Sequence, residues 1–353
     1  LDYDETSSLS FETLYQSVGL GATIFTQNTL SSLFGSVGYH ANPLPDGTWE
    51  HSGHAKLTYI ALPVKLEGRF DISNTNTTNL YVQDVVMEGY KYNVLKPEPK
   101  YTTTTSGTFR AYIPLSFNYG GWQRGVVSEF TIGLSNMTLE GWPLNRETIS
   151  IRAYAVRQMA QDAIFPRWGI GAEVGAAARA FTAEYFRPTA YAVLYGYFPG
   201  FAQNQNFHFY ALAGSYVGSM AGYFADPYLT YVTRGFQTST DACKCLEAAK
   251  SGVKAYLEYG LPCVPINSGI LSPFFYMRNL EVIPRVECVL AGMPDGSREV
   301  FASAGALVNL VLGNFLCVPF DTRVGCFFDL NKTTYEPAAD SRYRIGFNFT
   351  VSL

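Results

Sequence analysis

The chain has 353 residues, a formal net charge of −4, 15% charged residues and 15% aromatics. Ordinary soluble domains carry roughly 25% charge, so a surface wholly hydrated by charged side chains is excluded. The absence of basic excess argues against nucleic acid as a partner.

The opening stretch, "LDYDETSSLS", is acidic and polar and does not form a signal peptide. The expectation is that a signal has been removed and that these residues belong downstream in a longer protein. After it come stretches in which apolar and polar residues alternate, the period of a β-strand with one greasy face. Candidates in chain order are 19–26, 32–40 and the pair "HAKLTYIA" and "VKLEGRFDI", whose parity slips at Leu62-Pro63, where a bulge is expected. In the second of that pair Val64, Leu66, Phe70 and Ile72 oppose Lys65, Glu67, Arg69 and Asp71, a face whose charges can pair across strands.

Further strands are expected over 80–92, 108–119, 126–136, 148–158, 171–186, 189–197, 205–217, 229–236, 252–261, 269–277 and 282–290. The uncharged run "VFASAGALVNLVLGNFLCVPF" is long enough for a membrane helix. Alternation survives in it, Gly313-Asn314 signals a turn and Pro319 follows, so two strands joined at Leu312–Asn314 are expected. The last strand, Arg342–Leu353, alternates to its final residue. The expected fold class is all-β, a transmembrane antiparallel up-and-down β-barrel of about 16 strands, with the whole chain, 1–353, as one barrel domain. Scarce charge, aromatics sufficient for interfacial girdles and a full terminal strand, which a closed barrel needs, separate this from a soluble β-sandwich.

Candidate chemistry is sparse. Six cysteines are too scattered for a disulfide scaffold and are expected as free thiols. The pair Cys243-Lys-Cys245 lacks a second pair with zinc-site spacing. "HSGH" at 51–54 is expected in a surface loop. "GIGAEVG" at 169–175 misses the dinucleotide-loop spacing, and its small residues are expected to permit close packing against a loop or partner. No catalytic residue, metal site or cofactor is expected, and the chain reads as a non-enzyme.

Two segments carry a family resemblance. Ile345, Phe347, Phe349, Val351 and Leu353, on one face of the terminal strand, resemble the β-signal read by the outer-membrane assembly machinery of bacteria, although that signal usually ends on Phe. Arg234-Gly235-Phe236 resembles the Arg-Gly-Phe/Tyr motif of the Omp85 superfamily, in which a loop folds into the lumen and its Arg pairs with acidic wall residues. The stretch "GVKAYLEYGLPCVP" resembles the strand that follows, which puts Glu258 inward as the expected partner of Arg234. The aromatic-x-Asp-x-Gly pattern of the next family strand is missing from "SPFFYMRN". "LYGYFPGF" followed by "VTRGF" also resembles barrels of Bacteroidetes-type bacteria that follow a periplasmic propeller-like domain. The resemblance implies a role in assembly, insertion or translocation of outer-membrane or surface proteins or lipids, with outer-membrane lipid and other outer-membrane or periplasmic proteins as partners. A passive channel and a barrel anchor for a partner protein are the alternatives.

Overall fold

The computed structural model describes residues 20–43, 49–74, 76–87, 90–101, 103–139, 142–158, 163–180, 188–217, 231, 233–237, 239–270, 275–293, 295–315 and 321–352. The first strands are β1 (Leu20–Gln27), β2 (Leu33–Pro43), β3 (Trp49–Tyr59), β4 (Lys65–Ser73), β5 (Asn76–Met87), β6 (Tyr90–Tyr101), β7 (Thr104–Ser116) and β8 (Trp122–Ser135). Then come β9 (Thr138–Leu139), β10 (Trp142–Pro143), β11 (Arg146–Arg157), β12 (Gly169–Ala178), β13 (Thr189–Pro199) and β14 (Asn206–Tyr216). The chain closes with β15 (Ser251–Ile270), β16 (Phe275–Gly292), β17 (Arg298–Phe315), β18 (Asp321–Thr333) and β19 (Tyr343–Ser352).

Fifteen of these strands form one antiparallel sheet in the order β1-β2-β3-β4-β7-β8-β11 through β19. Each pairs with its neighbour in sequence except where the small hairpins intervene. The result is an up-and-down β-barrel, with fifteen described strands against about sixteen expected. Among the described residues no ladder joins β1 to β19. An odd number of passes sets the start of β1 and the end of β19 at opposite ends of the barrel.

Alternation explains the faces. Phe70, Phe109, Leu115, Ile149, Ile170, Val174, Leu257, Val286 and Leu330 are exposed on the outward face. The residues between them, among them Arg69, Arg110, Arg152, Glu173, Lys254 and Asp329, point into the lumen, where they meet one another in ion pairs. At the β7–β8 turn, Gly120 and Gly121 take φ of 59° and 76°, the left-handed values a two-residue hairpin loop requires.

Several expectations are corrected. The slip at Leu62-Pro63 is the turn between β3 and β4, where parity restarts with each new strand. "HSGH" lies within β3, and Ser52, His54 and Lys56 take part in its ladders. β17 continues through Gly313-Asn314, with a register shift that leaves Gly313 out of the ladder, because β16 supplies partners as far as Phe315. The connection to β18 therefore falls at 316–320, outside the described residues. The stretch 80–92 is divided between β5 and β6, which join β9 and β10 in a separate four-stranded sheet. Pro97 and Pro99 suit β6 to that sheet's edge, since proline cannot donate to a ladder.

Candidate functional site

Between β14 and β15 the chain enters the barrel. Of the strand expected over Leu229–Phe236, residues 229, 230 and 232 lie outside the described residues, and Arg234–Phe236 form a short 3₁₀ turn in place of a strand, followed by α1 (Thr240–Ala248). The helix was not foreseen, although its start is legible: the Ser239 hydroxyl caps the Ala242 N–H at 3.3 Å, and Asp241 sits in the first turn. Ala242, Cys245, Leu246 and Ala249 pack into a buried cluster with Tyr191, Leu212, Phe236, Val289 and Phe301. Burial first, then Glu299 and Asp295, push the Cys245 thiol up to about 12, so it stays protonated and unreactive.

Phe236 is fully buried and meets Phe301 edge-on, ring centroids 5.3 Å apart. Arg234 is held from three sides. Its guanidinium donates to Asp329 on β18, Nε to Oδ2 at 2.9 Å and Nη2 to Oδ1 at 2.6 Å. Its backbone N–H donates to Glu287 Oε2 on β16 at 3.1 Å. Its carbonyl accepts from Arg344 on β19, which also donates to Gln237 Oε1 at 2.9 Å. Asn331 Nδ2 completes the seat by donating to the Gly235 carbonyl at 2.7 Å. Gly235 has no room for a side chain: an added Cβ would lie 2.2 Å from Asn331 Oδ1 and 2.8 Å from Ser303 Cβ.

The expected ion pair between Arg234 and Glu258 is therefore replaced by one with Asp329. Glu258 does face the lumen, but its carboxylate is bonded to His208 Nδ1 at 2.9 Å and to Arg285 Nη1 at 3.3 Å. Register explains the exchange. His208, Glu258, Arg285, Gly305, Asp329 and Arg344 stand opposite one another, strand to strand, from β14 to β19. They form one rung around the wall, and Arg234 reaches the Asp329 end of it. Glycine at 305 leaves the space that the Asp329 carboxylate occupies, since a Cβ there would lie 2.1 Å from Oδ1.

The rung continues through Arg285 Nη2 to Glu287 at 3.0 Å, and Lys254 Nζ lies 3.5 Å from the same carboxylate. Arg234, Arg285, Lys254 and Arg344 thus face Glu258, Glu287 and Asp329. The Arg285 guanidinium lies 4.0 Å over the Tyr256 ring, and Arg344 stacks 4.8 Å from the centre of Phe327. Such a cluster can hold a loop by charge-assisted bonds, with no nucleophile poised beside a base. No group of three or more His, Cys, Asp or Glu side chains gathers as metal ligands among the described residues.

The glycines of "GIGAEVG" accommodate rings of the adjacent strand: Gly171 lies under Tyr195 and Gly175 under Tyr191. The close packing is within the wall, against β13, where a loop or partner was expected. In the terminal strand Ile345 and Phe347 are exposed outward and Arg344 is buried inward. The backbone at Phe349 and Val351 is paired with Val324 and Thr322, and Leu353 lies outside the described residues. Cys243, Cys245, Cys263, Cys288 and Cys326 form no disulfide, and Cys317 lies outside the described residues.

No family model and no curated protein matches the chain. Its fold is similar to that of CdiB from Acinetobacter baumannii, with a TM-score of 0.51 and 9% sequence identity. The match covers 95% of this chain and 56% of that of CdiB, so the chain spans little more than half the length of that solved structure. The likeness is one of fold, a large β-barrel.

Proposed function

We propose that the chain is an outer-membrane β-barrel domain, distantly Omp85-like, that acts in assembly, insertion or translocation of proteins or lipids within a membrane complex. The observation that carries this reading is the Arg234-Gly235-Phe236 turn, inserted in the lumen and held to β18 through Asp329. The barrel likeness to CdiB supports it. Membrane residence is supported by the outward apolar face and by a cluster of exposed aromatics at one end, Phe117, Tyr119, Trp168, Phe198 and Phe201, placed as an interfacial girdle would be.

In this reading Arg234, Gly235 and Phe236 form the loop lock, while Glu258 steadies the wall beside it. Ile345, Phe347, Phe349, Val351 and Leu353 form the β-signal. The partners are outer-membrane lipid and other outer-membrane or periplasmic proteins, in a host of the Bacteroidetes type. The experiment is replacement of the native protein by Asp329→Ala in its host, with the outer-membrane and surface protein and lipid profiles quantified. Loss of a defined set of proteins or lipids is expected. An unchanged profile overturns the assembly reading.

A passive channel is the second reading, favoured by the partly exposed ion pairs along the lumen face of β3 to β12. A steady pore in planar bilayers together with an unchanged profile selects it.

A further inference from the structure

The connection between β11 and β12 also enters the lumen, from the end opposite to the Arg234 loop. In an up-and-down barrel successive connections alternate ends, so β11–β12 and β14–β15 emerge on different sides. Ala163, Ile164 and Phe165 are 9%, 4% and 3% exposed, against the usual exposure of connections. Ile164 and Phe165 cluster with Ile283 on β16, Tyr197 on β13 and Leu307 on β17. From β12 to β17 is five strand spacings, about 24 Å along the wall, and the turn joins that cluster by folding over the inner face of the strands between. Gly260 on β15 leaves it room, since a Cβ there would stand 3.1 Å from both side chains. The buried Asn206 amide donates to the Phe165 carbonyl at 2.8 Å.

Phe165 also lies against His208, ring centroids 5.1 Å apart, and His208 stacks on Tyr197 at 4.7 Å. His208 is the first member of the charged rung. From it the contacts run unbroken through Glu258, Arg285 and Glu287 to the backbone N–H of Arg234.

We infer that Ala163–Phe165 is a second lumenal fastener, coupled to the Arg234 loop through His208 and Glu258. When Phe165 leaves its seat, His208 loses a packing wall and Glu258 loses a fixed donor. Glu258 then draws Arg285 toward itself, and Glu287, which shares that guanidinium, shifts from the Arg234 N–H. An arriving chain or partner that displaces Phe165 at one end thereby loosens the loop at the other, and the coupling is reciprocal. Only the identity of that trigger rests on the proposed function; the coupling stands on the rung.

Contiguity alone does not establish coupling, so the test is a double-mutant cycle. Hydrogen–deuterium exchange is followed in residues 234–248 of the purified full chain in detergent, with heat-modifiable migration confirming an assembled barrel. Phe165→Ala is expected to speed exchange there by roughly fivefold or more, the low end of ordinary coupling. Reciprocally, Arg234→Ala should speed exchange at 163–168. His208→Phe keeps an aromatic ring against Phe165 but removes the bond to Glu258; in that background Phe165→Ala should no longer alter the loop. If Phe165→Ala does not assemble, Phe165→Leu, which removes the ring contact and retains apolar volume, carries the same test. Faster exchange confined to 163–168, or an effect that persists in the His208→Phe background, overturns the inference. Neither result bears on whether the protein assembles or translocates anything.

Discussion

The lumen wall has two halves built from the same kinds of residues to different effect. On β3 to β12 the inward charges pair across neighbouring strands: Lys56 with Glu67 at 3.0 Å, Arg110 with Glu129 at 2.6 Å, Arg152 with Glu173 at 2.7 Å. Their basic side chains remain 38–45% exposed. On β14 to β19 the equivalent groups, Lys254, Arg285, Glu287 and Asp329, are 1–12% exposed. The difference is what covers them. Two segments, one from each end, pack onto the second half and remove its charges from water. Geometry is similar in the two halves, but the energetics are not: an exposed pair is worth little, whereas breaking a buried pair strands a charge in a poor solvent.

The contrast can be broken at its strongest point first. Asp329→Ala removes both acceptors of the Arg234 guanidinium and should cost about 3–5 kcal/mol, read as a lower urea midpoint of the folded barrel in detergent. A change within 1 kcal/mol, on the scale of an exposed pair, would place Arg234 in water and erase the distinction between halves. Next, Glu258→Gln keeps the shape and removes the charge shared by His208 and Arg285; a loss of about 1–3 kcal/mol is expected. Should Glu258→Gln cost as much as Asp329→Ala, Glu258 and not Asp329 is the principal lock. Arg152→Ala, on the uncovered half, is expected to stay within about 1 kcal/mol and to lose even that in high salt. The smallest effect concerns Cys245, whose raised thiol pKa predicts slow alkylation by maleimide at neutral pH. Faster labelling of Cys245 in Asp329→Ala would sharpen the comparison by showing that the cover lifts when its lock is cut.

Much of this was legible along the chain. Alternation located most strands and sorted their faces, because a side chain's direction in a strand depends only on parity. Glu258 could be placed inward from Lys254 and Tyr256 alone, and Arg344 inward from Ile345 and Phe347. Asp329 could have been found in the same way, since Phe328 and Leu330 flank it on the outward face. Its position at the start of a turn-like stretch concealed it.

By itself the sequence determined an all-β chain of amphipathic strands, a motif-bearing segment at Arg234–Phe236 and a terminal strand with one apolar face. These are local properties, set by period and side-chain type. Only the tertiary structure decided that Arg234 meets Asp329, because the rung that joins Glu258, Arg285 and Asp329 is fixed by the cumulative register of five ladders. It alone laid Ile164 and Phe165 on the inner face of the wall. No local rule sends a connection inward; it goes there because a wall with Gly260, Ile283 and Leu307 leaves an apolar seat that only the pairing of β15, β16 and β17 assembles.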